Sequence, residues 1–203
     1  MLDELTYQLA GFWESDIARA YAAGRIPNAQ TLLAELYRHL AEADWELRMM
    51  PQLHFLPANP AQETVEEIQL KQWLLHYQPG LLVCRDQQVY AALDLNFSPD
   101  DMGSYRRDMR RLMSLQRLAG RVWLLTDLDP YTGRLAQQRP YLLHQELWSI
   151  YAIVTRAASF GLVTEELLRE YDGLYADARF LHLTAAIYDD RAVFRHATVY
   201  LER

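Results

Sequence analysis

PGLLVCRDQQVYAALDLNF, residues 79–97, is the stretch on which the reading of the whole chain turns. The aliphatic residues at 81–83 and the β-branched, aromatic and aliphatic residues at 89–97 read as two strands. Arg85-Asp86-Gln87-Gln88 interrupts them as a polar loop. In the second strand Val89, Ala91, Leu93, Leu95 and Phe97 fall on one face, and Tyr90, Ala92, Asp94 and Asn96 on the other. A carboxylate and an amide therefore stand side by side at a strand end. A loop of residues 86–88 puts Gly80 opposite Asp94 across the ladder, bringing Pro79-Gly80 beside Asp94-Leu95-Asn96.

N-terminal to this hairpin the pattern is helical. Leu5, Leu9, Phe12, Trp13, Ile17 and Tyr21 recur at helix spacing over 3–23, with Gly24 as the stop, and form either core or a subunit contact. Asn28 caps a second helix over 29–43, where Leu32, Leu33, Leu36 and Leu40 form the apolar stripe and Glu35 borders it. Residues 45–57 read as a strand or a bent strand pair, with Pro51 marking an edge or bulge. A third helix is expected over 63–76, with Glu63, Glu66 and Glu67 at its positive end.

Beyond the hairpin, Ser98-Pro99-Asp100-Asp101 leads into a fourth helix over 101–119. One side carries Met102, Tyr105, Met109 and Leu112; the other carries Arg106, Arg107, Arg110, Arg111 and Arg117. A strand at 121–127 is expected to lie parallel to 89–97 through a right-handed crossover. Helices are expected at 142–159, from Leu143, Leu147, Trp148, Ile150, Tyr151 and Val154, and at 164–176. A hairpin of 180–188 with 192–201, turning at Asp189-Asp190, closes the chain.

The 203 residues carry a formal net charge of −7, which argues against a broad nucleic-acid-binding surface, and the arginine helix is the one basic cluster. Lys71 is the only lysine, so any catalytic lysine has to be that residue. Cys84 is the only cysteine and excludes an internal disulfide, which suits a cytoplasmic setting. No apolar run approaches the ~18 residues of a membrane span. The residues form one domain of mixed α/β class, a central mixed sheet flanked by helices.

The order Pro79-Gly80, hairpin, Asp94-Leu95-Asn96, helix resembles the signature of the PD-(D/E)XK nuclease superfamily, whose restriction-endonuclease-like core the resemblance then implies for 28–127. Two charged positions differ: glycine stands where the first aspartate would be and asparagine where the lysine would be. The resemblance implies a site of Glu35, Asp94 and Asn96. Mg²⁺ or Mn²⁺ would be held by Glu35, Asp94 and the carbonyl of Leu95, since hydrolysis of this kind needs a divalent ion on hard oxygen ligands. Read from the residues alone, Glu35 is one of several solvated helix carboxylates. Arg106, Arg107 and Arg110 would meet a phosphate backbone, or else form a solvated face.

Loss of one carboxylate and one cation weakens transition-state stabilisation by roughly 10²–10⁴ for each. The first reading is therefore a catalytically impaired nuclease-like protein serving as a nucleic-acid-binding or assembly subunit in a DNA-processing or defence system. The second is an active metal-dependent endonuclease with a variant site. The third discards the resemblance in favour of a cytosolic, homodimeric interaction module.

Overall fold

Strands β3 (Leu81–Arg85) and β4 (Gln88–Phe97) pair antiparallel, as the opening stretch requires. In the computed structural model the described residues are 2–13, 17–23, 25, 28–55, 63–97, 102–126, 139–156, 180–188 and 194–202. The hairpin loop is one residue shorter than expected. Arg85 pairs with Gln88, leaving Asp86 (φ 51°) and Gln87 (φ 59°) as a two-residue turn with the positive φ angles of type I′.

The missing loop residue reappears as a bulge. Val83 pairs with Ala91 and Cys84 with Val89, so Tyr90 is the extra residue of β4. The two changes cancel. Leu81 meets Leu93, and Gly80 arrives beside Asp94 as the longer loop would have brought it. The strict alternation does not survive this. Tyr90 joins Ala91 and Leu93 in the core cluster, while Val89, paired with Cys84, turns to the opposite face.

Eight strands form one mixed sheet, in the order β1 (Glu46–Met49), β3, β4, β6 (Arg139–Arg156), β5 (Val122–Thr126), β2 (Gln52–Phe55). The hairpin of β7 (Phe180–Tyr188) and β8 (Phe194–Glu202) joins at β6, close to the boundaries expected for it. The expected turn at Asp189-Asp190 and the expected helix over 164–176 lie outside the described residues. β1 and β2 confirm the bent strand pair, but they do not pair with each other: β1 joins β3 and β2 joins β5.

Two expectations are overturned. The helix expected over 142–159 is not found in its described part: 139–156 is strand β6, parallel to β4, and 157–159 lie outside the described residues. Leu147 to Tyr151 are buried without a break because the sheet is covered on both faces there. Such a strand reads as a continuous apolar run with no period of two. Nor is β5 the parallel neighbour of β4. It pairs antiparallel with β6, so the parallel partner reached after the crossover is β6.

Helices α1 (Leu2–Gly11), α2 (Ile17–Ala22) and α3 (Ala29–Ala41) cover one face. Leu5, Leu9, Phe12, Trp13, Ile17, Leu32, Leu36 and Leu40 pack there with Leu81, Val83, Ala91, Leu93 and Ile150, so the N-terminal stripe is core. Of the single helix expected over 3–23, the described residues show α1 and α2, with 14–16 between them outside the described residues. The Gln8 side chain accepts from Trp45 Nε1 at 3.0 Å, tying α1 to the start of β1.

Helix α5 (Met102–Gln116) covers the other face. Ser149 of β6 donates to the Leu112 carbonyl at 3.3 Å and accepts from Gln116 Nε2 at 3.0 Å. Beside α5 runs α4 (Val65–Trp73), shorter than expected, opened by a capping box of Thr64 and Glu67. Glu66 and Glu67 pair with Arg117 and Arg121 and so join α4 to the end of α5.

Candidate functional site

The hairpin delivers Asp94 to the end of β4, where two donors from the segment after α4 meet it. The Gly80 N–H donates to Oδ1 at 2.7 Å, and the Tyr77 hydroxyl donates to Oδ2. Loss of hydration raises the Asp94 carboxyl to about 7. The Tyr77 and Gly80 hydrogen bonds oppose that rise, Asp108 adds to it and Arg111 opposes it. Tyr77 is pushed well above the usual phenol value by its own burial and then by the Asp94 charge. The segment is fixed at both ends: Tyr77 N–H bonds to the Leu74 carbonyl at 2.9 Å, and Met50 N–H to the Gly80 carbonyl at 3.1 Å.

Two cavities meet at Asp94. One, of about 280 Å³, is lined by Tyr77, Gln78 and Asp94, by Asp108 and Arg111 of α5, and by Tyr151 of β6. The other, of about 220 Å³, lies on the α3 side between Gln30, Leu33, Met50, Gly80 and Asp94. Gln78 borders both. Arg111 lies over the Trp73 ring, 5.3 Å from its centroid, and its Nε is buried without a hydrogen-bond partner.

The residues singled out from the sequence are divided by this geometry. Asp94 and Leu95 line both cavities. Glu35 is on α3 but is held by Arg38 at 3.0 Å and Arg25 at 3.7 Å, and the α3 side chains beside Asp94 are Gln30 and Leu33. Asn96 follows Asp94 by two residues on β4, opposite Ile153 of β6, and its side chain lies outside the described residues. The same holds for the Arg106 side chain on α5. Arg107 and Arg110 are exposed, and Arg107 stands 3.6 Å from Asp108. Lys71 of α4 pairs with Glu63, just before that helix.

Tyr77, Gln78, Asp108 and Arg111 were missed as site residues. Asp108 and Arg111 carried a usable signal, being three apart on a helix whose next turn buries Leu112 and Leu115. A residue bordering that buried stripe is aimed partly at the sheet, not at solvent.

A Cβ built on Gly80 would lie 3.5 Å from Asp94 Oδ1 and 3.2 Å from the Leu93 carbonyl oxygen. A side chain at 80 would therefore start beside the Asp94 carboxylate; glycine supplies the backbone N–H and no second carboxylate. For a Mg²⁺ or Mn²⁺ ion, Asp94 and Asp108 are the carboxylates lining this cavity, with Leu95 and Gln78 among the other residues that border it. Among the described residues no three His, Cys, Asp or Glu side chains converge. Among the same residues no helix is long and apolar enough to cross a membrane. No protein-family model, curated protein or solved structure matches this chain.

Proposed function

We propose that the chain is a nuclease-like protein of the PD-(D/E)XK type with an impaired catalytic site, acting as a nucleic-acid-binding or assembly subunit. The observation that carries the reading is the register that sets Gly80 beside Asp94: the hairpin and the helix after it stand in the order of the motif, while position 80 offers Asp94 a backbone N–H and no second carboxylate. The crossover from β4 through α5 to a parallel β6 is in keeping with such a core. Arg107 and Arg110, exposed on α5, supply a local basic surface on an acidic protein.

The test joins metal and DNA. Calorimetric titration with Mn²⁺ is expected to give weak or no binding by the native protein. Gly80→Asp, which restores the second carboxylate, is expected to tighten it. DNA binding followed by fluorescence anisotropy should weaken with salt and weaken further in Arg107→Ala/Arg110→Ala. DNA binding indifferent to both changes sinks the binding reading.

A second reading is favoured by Asp108, which lines the same cavity as Asp94 and offers a further carboxylate from α5. On that reading the protein is an active Mg²⁺- or Mn²⁺-dependent endonuclease with a variant site. Strand cleavage by the native protein in Mn²⁺, abolished by both Asp94→Asn and Asp108→Asn, distinguishes it from the first.

A further inference from the structure

The cavity of about 280 Å³ beside Asp94 has a mixed demand. Arg111 makes no hydrogen bond or ion pair to a described residue, its Nε is buried without an acceptor, and its guanidinium is steadied over Trp73. Its buried Nε–H therefore calls for an acceptor. Asp94 and Asp108 line the same cavity and present carboxylate oxygens with lone pairs beyond those that Tyr77, Gly80 and Arg107 engage.

A phosphate would satisfy Arg111 and be repelled by the two carboxylates. A cation would satisfy the carboxylates and be repelled by Arg111. A neutral plane with acceptors on one edge and donors on the next satisfies both. The volume falls just below the ~300–1,000 Å³ of pockets for drug-sized ligands, which suits a group the size of a single base.

We infer that this cavity is a pocket for an unpaired guanine base. Guanine presents O6 and N7 as a pair of acceptors that a guanidinium fork matches, and N1–H and N2–H₂ as donors on the adjoining edge. Arg111 takes the first edge; Asp94 and Asp108 take the second. Gln78, with a donor and an acceptor on one amide, borders the cavity. The inference rests on the nucleic-acid reading for the source of the base, a strand led past α5, but the pocket itself can be tested with nucleosides.

Calorimetry on the full chain with guanosine, adenosine, cytidine and inorganic phosphate tests it. The native protein should bind guanosine about tenfold or more tightly than the other nucleosides, the ratio expected of one bidentate contact. Arg111→Met should remove that preference, and Arg19→Met, at an exposed position on α2, should leave it unchanged. Should Arg111→Met fail to fold, Asp108→Asn, which keeps the side-chain volume, should weaken guanosine binding in its place.

Absence of saturable guanosine binding at millimolar nucleoside overturns the inference, as does binding that neither substitution affects. Phosphate binding that depends on Arg111, without guanosine binding, overturns it in favour of an anion pocket. DNA binding that needs Arg107 and Arg110 but shows no nucleoside pocket leaves the proposed function standing and removes this inference alone. Guanosine binding by a protein that ignores DNA does the reverse.

Discussion

Asp94 receives two hydrogen bonds and has a guanidinium nearby, yet its carboxyl rises to about 7, so lost hydration outweighs all three stabilising contacts. The consequence for stability has a definite sign. An unfolded aspartate titrates at about 4, so between there and neutrality the folded chain holds a proton that the unfolded chain has released. Stability contributed by this group is then present at low pH and lost as pH rises toward and through 7. Thermal melts across pH 5 to 8 should show a midpoint that falls with pH, and Asp94→Asn should flatten the fall. A native midpoint indifferent to pH over that interval contradicts the assignment. At this scale the sequence was legible where counting along one strand sufficed. Asp94 and its neighbour Gly80 were found that way. Tyr77 and Arg111 come from separate elements whose docking no local pattern encodes, and they were not found.

Elements differ in how much they disclose. The β3–β4 hairpin was read correctly as a pair of strands, but its turn was not, because Asp86-Gln87 is an uncommon solution to a turn needing positive φ at both positions. That choice leaves room for improvement: Asp86→Asn/Gln87→Gly should raise stability by about 1 kcal/mol by easing left-handed strain. Denaturant unfolding of the pair against the native chain measures it. A loss of stability would mean that the two side chains hold the turn through contacts that outweigh the strain. Strand β6 was misread for the opposite reason. Its composition, rich in Trp, Ile, Tyr and Val, favours a strand, yet its apolar run is too long for an ordinary one and has no gaps where both faces are covered. Length and the lack of alternation pointed to a helix. Tertiary burial had erased the period that would have corrected the reading.

At the scale of the molecule, helices α1–α3 on one face and α5 on the other enclose the sheet, and Asp94 lies where the end of β4 is reached from both sides. The mixed α/β class was legible from the alternation of helical and strand-like segments. The strand order was not, since it depends on which side of β6 each later strand takes.

The register of β6 carries a further consequence. Val89 pairs with Leu143 and Ala91 with Trp148, so residues 144–147 stand outside the β4 ladder where β4 itself spends only Tyr90. On the other side β5 pairs with residues 139–142 and β7 with 149–156, so 144–147 have no described partner strand there either. His144 rests against the Tyr90 ring at 4.5 Å, and the Gln145 side chain lies against Gly120. What looks like one long strand is therefore two hydrogen-bonded segments in series with a joint between them. In native-state hydrogen exchange the amides at 144, 145 and 147 should exchange early, while those at 149–151 persist toward the global limit. The joint would then separate two units that open independently: one holding β5 and β2, the other holding the hairpin end with Asp94. Uniform protection from 139 to 156 would instead mean that the chain melts across this joint as a single piece.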